Sequence, residues 1–329
     1  MTALLLLLSF VLIVGGAILF TNAVEWAGTK LNMGEGAVGS LLAAVGTALP
    51  ESLIPIVAVL AGVEGEEVAI GAIIGAPFML GTVAMMLIAG SAVVFAKRRK
   101  KGREVDSDKT AVRRDLGFFL PCFAVAITLG VIDVRVLDFV GMAGLLIAYV
   151  VYAYLTVKKG GDSGDEDELG ALYFDTSKQD PPNKLQLIGQ LVVGLLLIVG
   201  GAELFVEEIK KVSESVGLTA LALSLVLAPL ATELPEKLNS VIWMRQDKDT
   251  LAIGNVTGAM AFQSTVPVAF GLVATEWSLD KFAVVAGVLG LLGGALALWR
   301  LQVGRLGPPA VVAWAALFST LVVVIALGS

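Results

Sequence analysis

Long apolar stretches alternate with short polar ones along the whole chain. A helix that crosses a bilayer needs about 20 mostly apolar residues, and ten segments of this sequence meet that requirement. The first segment has no basic start and no small-residue cleavage site, so we interpret it as a span and not as a signal peptide. The pattern therefore predicts an all-α membrane protein with ten transmembrane helices. Their approximate ranges are 3–27, 35–62, 67–95, 115–133, 136–157, 185–208, 216–244, 249–273, 281–299 and 307–327.

Composition agrees with a membrane location and excludes several kinds of site. Hydrophobic residues make up 57% of the 329 residues and charged residues only 16%, against about 25% charged in soluble proteins. There is no His and one Cys, Cys122, so an internal disulfide and any imidazole-based site are excluded. No nucleophile–base pair is visible, and we expect neither an enzyme nor a resident cofactor. The net charge of −6 argues against nucleic acid as a partner. The partners that we expect are inorganic cations and the lipid bilayer.

The distribution of Lys and Arg predicts how the chain crosses the membrane. Cytoplasmic loops collect basic residues, and most of the 23 Lys and Arg fall in loops on one side if the N-terminus lies outside. The largest group is the run 97–114, for which a site for anionic lipid is an alternative interpretation. We expect a multi-pass protein of a plasma (inner) membrane with both termini outside. The sequence does not determine the oligomeric state.

The segment 159–184 is the one long polar stretch. It holds an acidic, Gly-rich run at 160–168 and a Pro pair at 181–182. Such composition is typical of a flexible linker, and its spacing does not match an EF-hand calcium loop. We therefore predict a cytoplasmic linker between a first unit, 1–158, and a second unit, 185–329.

The two units share three short sequences in register. Each unit also contains five predicted spans, which is an odd number, so the second unit must enter the membrane from the opposite side. We therefore predict two inverted five-helix repeats, an arrangement common in secondary transporters, whose ligand site lies near the bilayer midplane. The matching pairs are 12–17 with 197–202, 47–51 with 232–236, and 71–76 with 254–259.

Each repeat carries a Pro-Glu pair near the middle of its second span. Pro50 and Pro235 each remove a backbone donor, so we expect a kink or break that frees carbonyl groups. Glu51 and Glu236 follow directly, and a charge at this depth is costly unless it has a function. Carboxylate, carbonyl and hydroxyl oxygens suit a hard cation such as Ca²⁺. The alternative is that both acids are protonated and only structural.

At these residues the sequence resembles the sodium/calcium exchanger family of the calcium/cation antiporter superfamily. The segments 46–51 and 231–236 are similar to the family's G-T-S-L-P-E motif, and 69–75 and 252–258 are similar to its G-N-x-x-G-S-N segment. The resemblance implies a ten-helix, five-plus-five fold and exchange of Ca²⁺ against Na⁺ by alternating access. The candidate metal ligands, taken over from the motifs or added as neighbouring polar groups, are Glu51, Glu236, Thr47, Thr232, Glu233, Gln263 and Asn255.

Several positions depart from the family motifs, and they leave the identity of the coupling ion undetermined. Lys237 is a further departure, four residues after the extra acid Glu233 and close enough to pair with it on a helix. It could instead lie as a tethered cation against Glu236 or Glu51. The lost oxygens leave H⁺ as an alternative to Na⁺, and a non-transporting cation sensor or scaffold as an alternative to an antiporter. The other replaced positions are Ala48, Ala76, Ala259 and Leu80.

Overall fold

The structure is a computed structural model that describes residues 2–30, 43–159, 171–175 and 182–328. Within these ranges the chain is helical apart from short turns and one isolated bridge between Glu104 and Arg305. The helices are α1 (Thr2–Lys30), α2 (Ala43–Leu60), α3 (Val63–Met79), α4 (Met85–Val94), α5 (Lys109–Ile132), α6 (Arg135–Lys159), α7 (Lys184–Val216), α8 (Ala220–Arg245), α9 (Asp249–Gln263), α10 (Val266–Ala274), α11 (Lys281–Val303) and α12 (Pro308–Leu327).

The predicted all-α membrane architecture is confirmed. Among the described residues, eight helical segments are long and apolar enough to cross a bilayer, with α3–α4 and α9–α10 each counted as one segment. Two further apolar stretches are shorter, Glu51–Leu60 in α2 and Ala220–Glu233 in α8. These two helices carry the Pro-Glu pairs, and in α8 the apolar stretch ends where Glu233 and Lys237 introduce charge.

Helices α1 and α7, the equivalent first helices of the two repeats, pack together along their length. Small residues bring the two backbones close: a Cβ on Gly16 would lie 2.8 Å from the carbonyl oxygen of Gly194, and one on Gly201 would lie 2.9 Å from Ile13. Gly16 and Gly201 occupy equivalent positions in the repeated sequence. Close backbone approach through small residues is the usual way in which membrane helices associate.

Helix α3 packs against α8 through a second pair of glycines. A Cβ on Gly71 would overlap the side chain of Ser224, and a Cβ on Gly75 would overlap the carbonyl group of Leu225. Pro229 lies four residues after Leu225 and has no N–H to donate to that carbonyl. The carbonyl of Leu225 therefore lacks its usual helical donor and lies against Gly75, where a larger residue would overlap it. This contact holds α3 against the face of α8 that carries Thr232.

The expected breaks at the two Pro-Glu pairs are not found. Helix α2 continues through Pro50, and α8 continues through Pro235. A proline removes only one N–H from the hydrogen-bond ladder, and the turns on either side keep theirs. Interruptions occur instead in the third span of each repeat, as a π-helical turn at Leu80–Ala84 and as a non-helical step at residues 264–265.

The basic run 97–114 is partly built into the fold. Arg99 is buried, and its Nη2 lies 2.5 Å from a carboxylate oxygen of Asp249 in the first turn of α9. Further along the same run, the N–H of Val105 donates to the carbonyl of Gly304. The segment between α4 and α5 is thus held against two other loops at this end of the bundle.

Part of the predicted linker also packs against helices. Leu172 is buried in a cluster with Trp26 of α1 and Leu187 of α7, and the N–H of Phe174 donates to the side chain of Gln190. Residues 160–170 and 176–181 lie outside the described part of the chain. The division into repeats at 1–158 and 185–329 stays a prediction.

Candidate cation site

A small cavity lies where α2, α3 and α8 meet. Two of the predicted ligands contribute to its wall from opposite repeats, Glu51 from α2 and Thr232 from α8, and both are buried. The cavity volume is about 10 Å³, close to the space that one water molecule needs. The lining residues are Glu51, Ile54, Ala72, Ala76, Ala228, Pro229 and Thr232.

The spacing of small residues creates this cavity. Ala72 and Ala76 are four residues apart on α3, so both point to the same side of that helix. Their methyl groups leave open the space that larger side chains would fill, and the neighbouring Gly71 and Gly75 keep α3 close to α8. Because Ala76 replaces the serine of the family motif, α3 contributes no side-chain oxygen here. Glu51 and Thr232 are the side chains in the lining that carry oxygen.

Glu233 and Lys237, which lie four residues apart on α8, form a buried ion pair. The Lys237 ammonium lies 2.5 Å from Oε2 of Glu233, and the relative exposures are 4% for Lys237 and 0% for Glu233. Oε1 of Glu233 accepts a hydrogen bond of 3.2 Å from the amide of Gln263. Both oxygens of this acid are thus engaged, and it is not among the residues that line the cavity.

The remaining candidate ligands are less defined. The side chains of Thr47 and Glu236 lie outside the described part of the structure, although their backbones belong to α2 and α8. Asn255 lies on α9 and is half-buried, and it does not line the cavity. Gln263 is the last residue of α9, where it contacts Glu233.

The interruptions in the third spans occupy equivalent places in the two repeats and use equivalent threonines. The hydroxyl of Thr82 donates to the carbonyl of Phe78 at 2.7 Å, and that of Thr265 donates to the carbonyl of Ala261 at 3.1 Å. Each threonine hydroxyl thus donates a hydrogen bond to a carbonyl near the point where the regular α-helical hydrogen bonds are interrupted. Gln263 lies directly beside the second interruption. Such irregular turns inside helices are frequent at functional sites. The sequence shows these polar residues within the third spans but does not show that the helices are interrupted there.

Another buried acid, Asp115, was not among the predicted site residues. Its Oδ2 accepts a hydrogen bond of 2.9 Å from Thr257 of α9, and its Oδ1 accepts one of 2.8 Å from Tyr152 of α6. Arg114 donates to the same Oδ1 at 2.9 Å. Asp115 lies at the start of a predicted span, where sequence alone does not separate a solvated loop acid from a buried one.

Comparison with known proteins identifies the family. A sequence model described as sodium/calcium exchanger protein matches residues 1–158 and 186–327, which is most of the chain. The chain belongs to the sodium/calcium exchanger family. The resemblance inferred from the motifs is thereby confirmed, and with it the expectation of a cation transporter and not an enzyme.

Two curated relatives cover most of the chain. MJ0091, an uncharacterised membrane protein of Methanocaldococcus jannaschii, is 25% identical over 254 residues, which are 77% of this chain and 75% of the relative. The putative antiporter CaxA of Alkalimonas amylolytica is 22% identical over 306 residues, 90% of each chain.

Two solved exchangers share the fold. An H⁺/Ca²⁺ exchanger, CAX, superposes with a TM-score of 0.73 at 20% identity, covering 98% of this chain and 81% of its own. The sodium-calcium exchanger NCX_Mj superposes with a TM-score of 0.60 at 20% identity, covering 99% and 97%. At this identity the likeness shows the fold and not the transported ions.

Proposed function

We propose that this protein is a secondary antiporter that exchanges Ca²⁺, or a related divalent cation, against Na⁺ or H⁺ by alternating access. The observation that carries the proposal is the cavity lined by Glu51 of the first repeat and Thr232 of the second. In this proposal Glu236 faces the same ion from the second repeat, and the backbone carbonyl of Thr47 adds a further oxygen. Helices α1 and α7 are the elements that move to change access, as the resemblance implies.

The chemistry of the cavity suits a bare, hard cation. Ca²⁺ binds six to eight oxygens at about 2.3–2.6 Å, and a carboxylate in the membrane interior is stabilised by the opposite charge of such an ion. In this proposal Ca²⁺ and the coupling ions bind at the same two acids. The coupling ion must therefore compete with Ca²⁺ for the same acids, and this competition produces exchange.

Charge counting makes the proposal more specific. The Lys237 ammonium pairs with Glu233, and the proposal assigns Glu51 and Glu236 to the transported ions. Two negative charges balance one divalent cation or two monovalent ones. We therefore expect one Ca²⁺ to exchange for two Na⁺ or two H⁺, without net movement of charge.

The test is Ca²⁺ flux in proteoliposomes. Purified protein is reconstituted, and Ca²⁺ uptake is measured with a Na⁺ gradient and, separately, with a pH gradient. We expect one of the two gradients to drive uptake, and Glu51→Gln combined with Glu236→Gln to abolish it. Glu214→Gln, at an exposed acid near the end of α7, is the matched control and should keep the flux. Equal flux in the double variant and the wild type would refute the proposed site.

Two observations favour a second function, a membrane cation sensor or scaffold that has lost transport. The buried Lys237 already supplies a cation on α8, five residues after Thr232, and Ala76 removes an oxygen that the motif normally provides. Ca²⁺ binding to the purified protein without uptake under either gradient would establish this function in place of antiport.

The orientation is proposed on the distribution of basic residues alone. We propose that both termini lie outside a plasma (inner) membrane and that the run 97–114 is cytoplasmic. Protease accessibility of tags at the two ends in intact cells tests this orientation, and digestion only after lysis would contradict it.

A further inference from the structure

A groove of about 450 Å³ lies between α5 and α6, apart from the candidate cation site. Most of its wall is apolar, and the charged group in the lining is the guanidinium of Arg114 at one end. The lining residues are Arg114, Gly117, Phe118, Ala148, Val151, Tyr152 and Leu155.

The groove faces the side of the bundle that contacts lipid. Val151 and Leu155 have relative exposures of 50% and 43%, and they lie on a helix whose apolar residues are mostly exposed. The stacked rings of Phe118 and Tyr152, 4.5 Å apart, form its floor. Gly117 opens the space, since no described atom lies within 4 Å of a Cβ placed there. In a bilayer, an open apolar channel in this position is occupied by an acyl chain.

One end of the groove is positively charged. Arg114 is partly exposed, and its Nε and Nη2 both contact Oδ1 of Asp115. A guanidinium has five N–H donors, so donors remain for a second anion. The exposed Lys158 lies one turn after Leu155 on α6 and adds a charge at the same end. Arg matches the geometry of phosphate oxygens particularly well.

We propose that this groove binds one membrane phospholipid with an anionic headgroup. The acyl chain lies along Phe118, Val151 and Leu155, and the phosphate contacts Arg114. Two independent features carry the assignment: an apolar channel open to lipid, and a guanidinium at its end. Basic side chains at the membrane surface attract anionic lipids in the same way. Because Asp115 joins Arg114 to Thr257 of α9, the lipid lies two side chains away from the helix that ends at Gln263.

Native mass spectrometry of the purified full-length protein tests the assignment. Phosphatidylglycerol is compared with phosphatidylcholine of identical chains, and glycerol phosphate serves as the soluble headgroup. We expect one phosphatidylglycerol per chain, bound about tenfold more tightly than phosphatidylcholine. Both lipids carry the phosphate, but the choline cation of phosphatidylcholine cancels its charge and is repelled by Arg114 and Lys158. Glycerol phosphate should not compete at the same concentration.

Three variants separate a built site from general charge attraction. Arg114→Gln should remove the preference for phosphatidylglycerol, and Gly117→Phe should fill the groove and weaken both lipids while keeping the Arg114–Asp115 pair. Arg113→Gln is the matched control, because Arg113 is the adjacent basic residue and contacts Gln302 outside the groove. Equal losses in the two arginine variants, unchanged binding in Gly117→Phe, or competition by glycerol phosphate would each overturn the proposal.

Discussion

The ion pair between Glu233 and Lys237 allows a quantitative prediction about stability. Lys237→Met removes the ammonium that lies 2.5 Å from a carboxylate with no solvent exposure. Removing one partner of a buried pair destabilises a protein by about 3–5 kcal/mol, because the remaining charge is left without compensation. Gln263 still donates to Glu233 in this variant, so we expect a loss of about 3 kcal/mol, at the lower end of that range.

The double variant provides the decisive comparison. In Glu233→Gln combined with Lys237→Met both charges are absent, and replacing a buried pair by neutral groups is often without penalty. The double variant should therefore be more stable than Lys237→Met alone by about 2 kcal/mol, which is the signature of coupled neighbours in a double-mutant cycle. Lys184→Met, at an exposed position in the first turn of α7, is the control for removing a lysine.

The measurement is the free energy of unfolding in mixed micelles, followed by tryptophan fluorescence during denaturant titration. A Lys237→Met protein as stable as the wild type, or a double variant as unstable as Lys237→Met, would refute the assigned pairing. The same variant has a functional readout in proteoliposomes. With a third acid left unneutralised, we expect Ca²⁺ flux to become sensitive to an imposed membrane potential, whereas the wild type is insensitive.

Two further predictions concern the helices around the site. Gly75→Ala should reduce both stability and flux, because its methyl group would overlap the carbonyl of Leu225. Gly258→Ala, at the equivalent position of the second repeat, should be tolerated, since no described atom of a neighbouring helix lies within 4 Å of its Cβ. Equal thermal stability of the two variants would contradict this contact. Thr257→Val removes a hydroxyl that donates to the buried carboxylate of Asp115 and should lower the free energy of unfolding by about 1.5–3 kcal/mol; an unchanged unfolding midpoint would show that this hydrogen bond does not form.

Much of the fold could be predicted from the sequence because the membrane makes the signal local. An apolar run of about 20 residues specifies a spanning helix wherever it packs, so the spans and the all-α class follow from single segments. The repeated Pro-Glu pairs singled out Glu51, and the family resemblance added Thr232; the side chains of these two residues line one cavity.

The helices are interrupted away from the two prolines at which the sequence predicted a kink or break. Proline is the visible signal for a break, yet α2 and α8 continue through Pro50 and Pro235. The interruptions near Thr82 and Thr265 depend on how neighbouring helices and hydroxyl groups satisfy the freed carbonyls. That balance depends on how the helices pack, and it cannot be inferred from the sequence of one span.

The sequence by itself determined which segments cross the membrane and which side chains bring charge into it. Only the tertiary structure decided the partners of those charges: Lys237 pairs with Glu233 and Gln263 completes that contact, while Asp115 joins three helices through Thr257 and Tyr152. The physical reason is one of range. Hydrophobicity acts on each segment separately, whereas an ion pair or hydrogen bond forms only between groups within about 3 Å of each other, and that proximity is set by how the helices pack.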